Sequence, residues 1–430
     1  MEAALIGFAF LLFFIFLRVP IAVAMIGVGF VAFGQYVNYN AALAMISSVA
    51  FEEGMNYELS VVPLFILMGN FVTQAGLSKE LYTASNAFIG HRRGGLSMAT
   101  ILACGGFSSI SGSSLATAAT MAKVAMPSMR KYNYADSLAT GSIAAGGTLG
   151  ILIPPSIILI IYGLLTETDI GLLFAAGFIP GLLGIACYLG AVIVMTSLYP
   201  DLGPKGERTS WPGRLRALRD VWGVMLLFFV VMGGIYGGVF TPTEAAGIGA
   251  AGGFLFVVLR GKLSKDLMLN VLISSAKTTA MIFTIYMCAV VFGNFINVTG
   301  LPYELADFVT GWGVRPFFVI VMIMVIYILL GCILESMSMI LLTVPVFYPL
   351  VQNLGFDLIW FGVVVVVVTE ISFITPPVGL NVFVLKSVLP DVKTRTIFKG
   401  VTPFWIADIF RLSLIVLFPG ISLFLPTLMG

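Results

Sequence analysis

Apolar residues in this chain come in long continuous runs, broken by short clusters of Gly, Pro, Ser or charge. Ten such runs are long enough to read as crossing helices. The first five lie at about 3–17, 20–37, 57–76, 136–166 and 169–198. The second five lie at about 221–240, 243–260, 271–298, 358–386 and 402–426. Two of them are interrupted, at Pro154-Pro155 and at Pro376-Pro377. Two further apolar regions, 96–128 and 316–349, break in the middle, and each reads as two crossings or as one re-entrant hairpin. Lipid admits only helices or closed barrels, because every backbone polar group must be satisfied internally. Barrel strands alternate apolar and polar positions over about ten residues. The continuous runs therefore predict an all-α integral membrane fold.

Charge sorts along this pattern. With the hairpins counted as non-crossing, 19 of the 22 Lys and Arg fall on one face. The opposite loops carry Glu52, Glu53, Glu58, Glu167, Asp169, Glu244, Glu304 and Asp307 against a single Arg315. The positive-inside rule makes the basic face cytoplasmic and sends both termini outward. The amino terminus does not read as a cleavable signal, since its first basic residue, Arg18, follows the apolar run.

The second half repeats the first. Gly69–Leu81 and Gly293–Leu305 share seven of 13 positions at an offset of 224. Pro20 and Pro242, Pro154 and Pro376, and Pro180 and Pro403 recur at 222–223, and Ser111/Ser113 and Ser336/Ser338 at 225. Five crossings per half is odd, so the copies lie in opposite orientations. The segment 77–95 is accordingly basic and its counterpart 301–313 acidic. The domains read as residues 1–200 and 221–430, joined by a cytoplasmic connector at 201–220. Inverted-topology repeats with interrupted helices mark secondary transporters, with the site near the midplane.

Composition narrows the chemistry. Apolar residues make up 59% of the 430 and charged residues 10%, far from the roughly 25% charged of soluble domains. A net charge of +2 indicates no nucleic-acid partner. One histidine, His91, excludes an HExxH zinc site, and it marks the cytoplasmic interface with Arg92 and Arg93. Gly261-Lys262 continues with Leu263, so no P-loop forms and ATP-driven transport by this chain alone is not expected. Cys104, Cys187, Cys288 and Cys332 sit singly in apolar stretches and read as core filling. No acid–base or metal cluster suggests an enzyme.

The candidate chemistry lies at the breaks. Residues 108–114 contain five serines and one glycine. At a hairpin tip they expose hydroxyls and backbone at membrane depth, tolerable only where they line a cavity or bind something. Oxygen ligands of this kind suit a hard cation such as sodium. Helix N-termini at the breaks attract an anion. Each proline pair frees carbonyls before it, near 150–153 and 372–375. Thr375 and Asn381 add side chains on the second-copy side. Glu335 and Glu370 are acids within apolar segments, candidates for a sodium ligand or a coupled proton. Asp408 and Arg411 read as a local i, i+3 ion pair, and Lys277 as snorkelling toward the cytoplasm. Small-residue helix contacts and simple proline kinks are the structural alternatives. A self-sufficient symporter or a channel are the functional ones.

Four motifs carry a resemblance across essentially the whole chain: Phe107–Ser114, Ile153-Pro154-Pro155-Ser156, Phe240-Thr241-Pro242-Thr243-Glu244-Ala245-Ala246 and Ile374-Thr375-Pro376-Pro377-Val378-Gly379. They resemble the large membrane subunit of tripartite ATP-independent periplasmic (TRAP) transporters. The resemblance implies an elevator-type sodium symporter in a bacterial inner membrane, with one cytoplasm-opening and one periplasm-opening hairpin. It also implies a separate four-helix small membrane subunit, a periplasmic substrate-binding protein and an organic acid substrate, with overall likeness leaning to the sialic acid branch over C4-dicarboxylates. At least two sodium ions are expected. One would take Ser108, Ser111 and Ser113 with Gly150, Ile153 and Pro154. The other would take Glu335, Ser336 and Ser338 with Thr369 and Thr375. The anion would sit between the tips, against Ser109, Gly112, Ser114, Pro155, Met337, Pro377 and Asn381. The second tip departs from the first in carrying Glu335 where serines stand in copy one.

Overall fold

The two halves of the chain run through the same series of elements. The computed structural model describes residues 2–311 and 315–429, so Met1, Gly430 and the end of the acidic segment at Gly313 lie outside the described residues. Among the described residues every regular element is a helix. Copy one opens with Glu2–Phe16 and Ile21–Tyr36, and copy two with Trp222–Tyr236 and Pro242–Leu259. The first hairpin is Gly95–Ser111 with Ser114–Lys131, and the second is Pro316–Gly331 with Ser336–Asn353. The interrupted helices are Asp136–Thr148 with Ile157–Thr166, and Leu358–Ser372 with Leu380–Val388. Both Pro-Pro bonds at these interruptions are cis.

The repeated Gly-Leu step has a backbone reason. Gly76 and Gly300 adopt φ of +85° and +71°, a left-handed conformation that only glycine enters without steric cost. Each sets the start of an amphipathic arm helix, Leu77–Ile89 and Leu301–Gly311.

Four elements differ from the sequence reading. Residues 39–54, read as a loop, form the helix Tyr39–Gly54, capped where Asn38 Oδ1 accepts the Ala41 N–H at 2.7 Å. This helix joins the next at a 60° bend. The copy-two counterpart is the unbroken 34-residue helix Lys265–Val298, which starts earlier than the expected 271. The last span ends at Leu417, because Pro419 offers no N–H to continue it, and Gly420–Met429 then packs on Ile170–Leu198. Within the connector, Trp211–Asp220 is helical rather than loop. Arg214 Nε donates to Ala87 O at 3.1 Å, which ties the connector to the first arm helix.

Among the described residues, four helices are long and apolar enough to cross a membrane singly, or up to six if each bent pair counts as one span. The other crossings of the ten-span reading rest on shorter apolar helices such as Ile157–Thr166 and Leu358–Ser372.

Neither half packs alone. Val61–Gln74 lies against Pro242–Leu259, and Ile21–Tyr36 against Lys265–Val298, giving an outer frame built from both copies. Inside it, Asp136–Thr148 crosses Thr394–Leu417 and supports the first hairpin. At this crossing a Cβ on Gly141 would collide with Gly400 O, and one on Gly400 with Ser137 O. Small residues here let two backbones touch, as helix pairs in lipid require.

Candidate substrate and cation site at the hairpin tips

The first tip is shaped by one glycine. Gly112 at φ +63° ends Gly95–Ser111, its N–H donating to Ser108 O at 2.9 Å. Ser113 then begins the returning helix, its hydroxyl accepting the Ala116 N–H at 3.3 Å. At the second tip Glu335 is the residue before Ser336–Asn353, and Ser336 Oγ lies 3.4 Å from its carboxylate. The N-termini of both returning helices therefore point at the same space.

That space is a cavity of about 320 Å³. It is lined by Ser111, Gly112, Ser113 and Ser114 from the first tip and by Glu335, Ser336 and Met337 from the second. Its size is at the lower end of the roughly 300–1,000 Å³ of small-molecule sites. Ser114 lines the cavity, and its Oγ is buried with no hydrogen-bond partner. Ser111 Oγ pairs with Thr117 Oγ1 at 2.9 Å. Neutral hydroxyls beside a single carboxylate fit a hard monovalent cation better than a soft metal.

The remaining expected residues lie around this cavity rather than in its wall. Ser108 donates to Cys104 O and packs directly on Gly150, where a Cβ would collide with it. Copy two makes the reciprocal contact, with Gly331 on the hairpin against Ser372 on the broken helix. Serine and glycine have exchanged places at the repeat offset, so each hairpin rests on its own break through one small residue. Ser109 is buried and donates to Gly106 O at 3.0 Å. Ile153 packs on Gly181, and Pro154 and Pro155 are buried, while Pro376 and Pro377 reach the surface. Ser338 is buried one turn behind the second tip. Thr369 Oγ1 donates to Val365 O at 2.7 Å. Thr375 Oγ1 donates to Ile371 O at 2.7 Å and accepts from Trp405 Nε1 at 2.9 Å. Asn381 is buried, and its Nδ2 donates to Ala144 O at 3.0 Å, binding the two broken helices together.

Sequence reading missed the frame side of the cavity. Asn70, Thr73, Ser274 and Thr278 line it, and Asn70 Nδ2 donates to Ser275 Oγ at 2.8 Å. Their signal was present as polar residues inside apolar spans, with Asn70 in the duplicated Gly-Asn-Phe motif.

Glu370 has a different setting from a tip ligand. Arg411 Nη2 contacts Glu370 Oε2 at 2.6 Å as well as Asp408 Oδ1 at 3.0 Å, and all three side chains are fully buried. Tyr188 OH donates to Asp408 Oδ2 and lies 3.1 Å from Thr148 Oγ1. The expected Asp408–Arg411 pair is thus one side of a network that joins the second broken helix to the last long helix and the end of the first half.

Two crossed copies, two broken helices and two hairpins meeting at one cavity define the architecture of a secondary transporter. Residues 8–421 match the family described as "Tripartite ATP-independent periplasmic transporter, DctM component". The chain is 37% identical over 385 residues to a C4-dicarboxylate TRAP transporter large permease protein of Pseudomonas aeruginosa, covering 88% of each chain. It is 33% identical over 378 residues to a sialic acid TRAP transporter large permease protein of Vibrio cholerae, covering 87% of each. The fold is similar to that of the Alcanivorax borkumensis YdaH transporter, with a TM-score of 0.68, 15% identity and coverage of 89% and 90%. This chain belongs to the family of large permease subunits of TRAP transporters. It is a multi-pass membrane protein and a transport subunit rather than an enzyme.

Proposed function

We propose that this chain couples the inward movement of a small organic acid to sodium at the hairpin-tip cavity. The observation that carries the reading is that one cavity of about 320 Å³ is walled by both tips at once. The N-termini of Ser114–Lys131 and Ser336–Asn353 offer positive dipole ends to a carboxylate. Glu335 in the same wall opposes an anion until a cation neutralises it. Cation and anion are then favoured together, which is the condition for symport. Ser111, Ser113 and Ser114 with Glu335 and Ser336 supply the oxygens nearest the anion. Ser108, the carbonyls of Gly150–Pro154, Ser338, Thr369 and Thr375 stand behind them as further ligands or as supports for the tips.

In this reading the hairpins and broken helices move as one body against the crossed outer frame, as an elevator. The acidic face is periplasmic, with both termini on that side of the inner membrane, and it receives a substrate-binding protein. A separate small membrane subunit completes the frame. The substrate is an organic acid, and the names of the two relatives point to a C4-dicarboxylate or to sialic acid.

Proteoliposomes holding this chain, its small subunit and a loaded binding protein should accumulate the acid only under an inward sodium gradient. Uptake that persists without sodium, or that requires ATP, would contradict the proposal. Transport by this chain alone would instead favour a self-sufficient symporter. Ser111→Ala and Ser336→Ala should each remove about 1.4 kcal/mol of ion binding, or roughly tenfold in sodium half-saturation. Unchanged sodium titration curves at equal amounts of folded protein would remove these two serines from the site.

A further inference from the structure

Lys277 lies in the interior of a long helix and, among the described residues, takes part in no ion pair. It lies 12 residues into the 34-residue helix Lys265–Val298, about 18 Å along the axis from its start. Local contacts fix its level. Its neighbour Ser275 is bonded to Asn70, and Gly69 packs on the carbonyl of Ile110 and on Ser111 at the first tip. Lys277 is therefore level with the hairpin tip. Ser274 and Thr278, three residues before it and one after, line the cavity, and Lys277 is on the exposed flank of the same helix. Among the described residues no ion pair involves it. An unpaired ammonium at this depth is costly unless it serves a passing ligand.

We propose that Lys277 is an anion-recognition residue, its ammonium taking a carboxylate of the transported acid from the frame side of the cavity. This rests on the functional reading above and adds the element that reading lacks, a full positive charge for the substrate. Helix N-termini carry only about half a charge each, and Glu335 works against them. A flexible lysine on the frame also meets an anion held between moving tips without requiring fixed bidentate geometry. It contributes where frame and tips face each other and is lost once they part, so it favours capture and release over permanent retention.

The test uses the complex of this chain with its small subunit, purified in sodium, and labelled succinate and labelled N-acetylneuraminate as probes in a scintillation-proximity binding measurement. Thermal stabilisation by sodium chloride is followed in the same samples. Lys277→Gln should weaken binding of the anion that the wild type accepts by roughly tenfold or more, Lys277→Arg should stay close to the wild type, and sodium stabilisation should persist in both. Equal anion affinities for the wild type and Lys277→Gln would overturn this inference alone. Loss of sodium stabilisation together with anion binding in Lys277→Gln would assign the lysine to folding and overturn it too. A wild type that binds neither anion would overturn the functional reading, and this inference with it.

Discussion

Replacing Arg411 with leucine is expected to cost about 3–5 kcal/mol of stability, seen as a lower melting temperature and a lower yield of the monodisperse protein in detergent. Glu370 and Asp408 are each fully buried and share Arg411 Nη2 at 2.6 and 3.0 Å. Without the guanidinium, two carboxylates face one another in a dry interior with no cation between them. Glu370→Gln is the milder change, because Arg411 keeps Asp408 and the cluster falls from a formal charge of −1 to zero. The expected order is therefore Arg411→Leu far below Glu370→Gln. Equal melting of the arginine variant and the wild type would show that the network does not hold the two halves together.

The second large effect concerns a place where no side chain fits. Gly141→Val should abolish accumulation of folded protein in the membrane, and Gly400→Val should do the same. Each would drive a Cβ into the backbone of the partner helix, into Gly400 O in one case and Ser137 O in the other. Rigid carbonyls cannot turn aside as a side chain can, so the crossing of Asp136–Thr148 with Thr394–Leu417 would have to open. Gly27→Val is the contrasting control, since nothing lies within 4 Å of a Cβ at that position. Normal yields of the Gly141 variant would contradict the packing of the inner body.

The all-helical fold and its repeated elements were legible because they rest on period and repetition. The proline pairs and the Gly-Leu steps recur at offsets of 222 and 224, and each marks a backbone event that the structure contains. The helix Tyr39–Gly54 was not legible as a span, because Asn38, Asn40, Glu52 and Glu53 give its ends the polarity of a loop. The candidate cavity was half legible. Serine clusters and broken helices drew attention to the tips, which do line the cavity. The frame wall was not foreseen, since Asn70, Ser274 and Thr278 come near the tips only through the crossing of one copy over the other. For the same reason Asp408–Arg411 read as a local pair. Its third member, Glu370, is 41 residues away and reaches Arg411 only through packing.

The central claim is that organic acid and sodium share the cavity between the two hairpin tips. The most direct measurement is density from the complex of this chain with its small subunit, determined by electron cryomicroscopy in sodium with the organic acid present. The account predicts acid density between Ser114 and Ser336, with spherical density among the tip oxygens beside it, and both lost when choline replaces sodium. Acid density outside that cavity, or acid density within it that persists in full without sodium, would contradict the account.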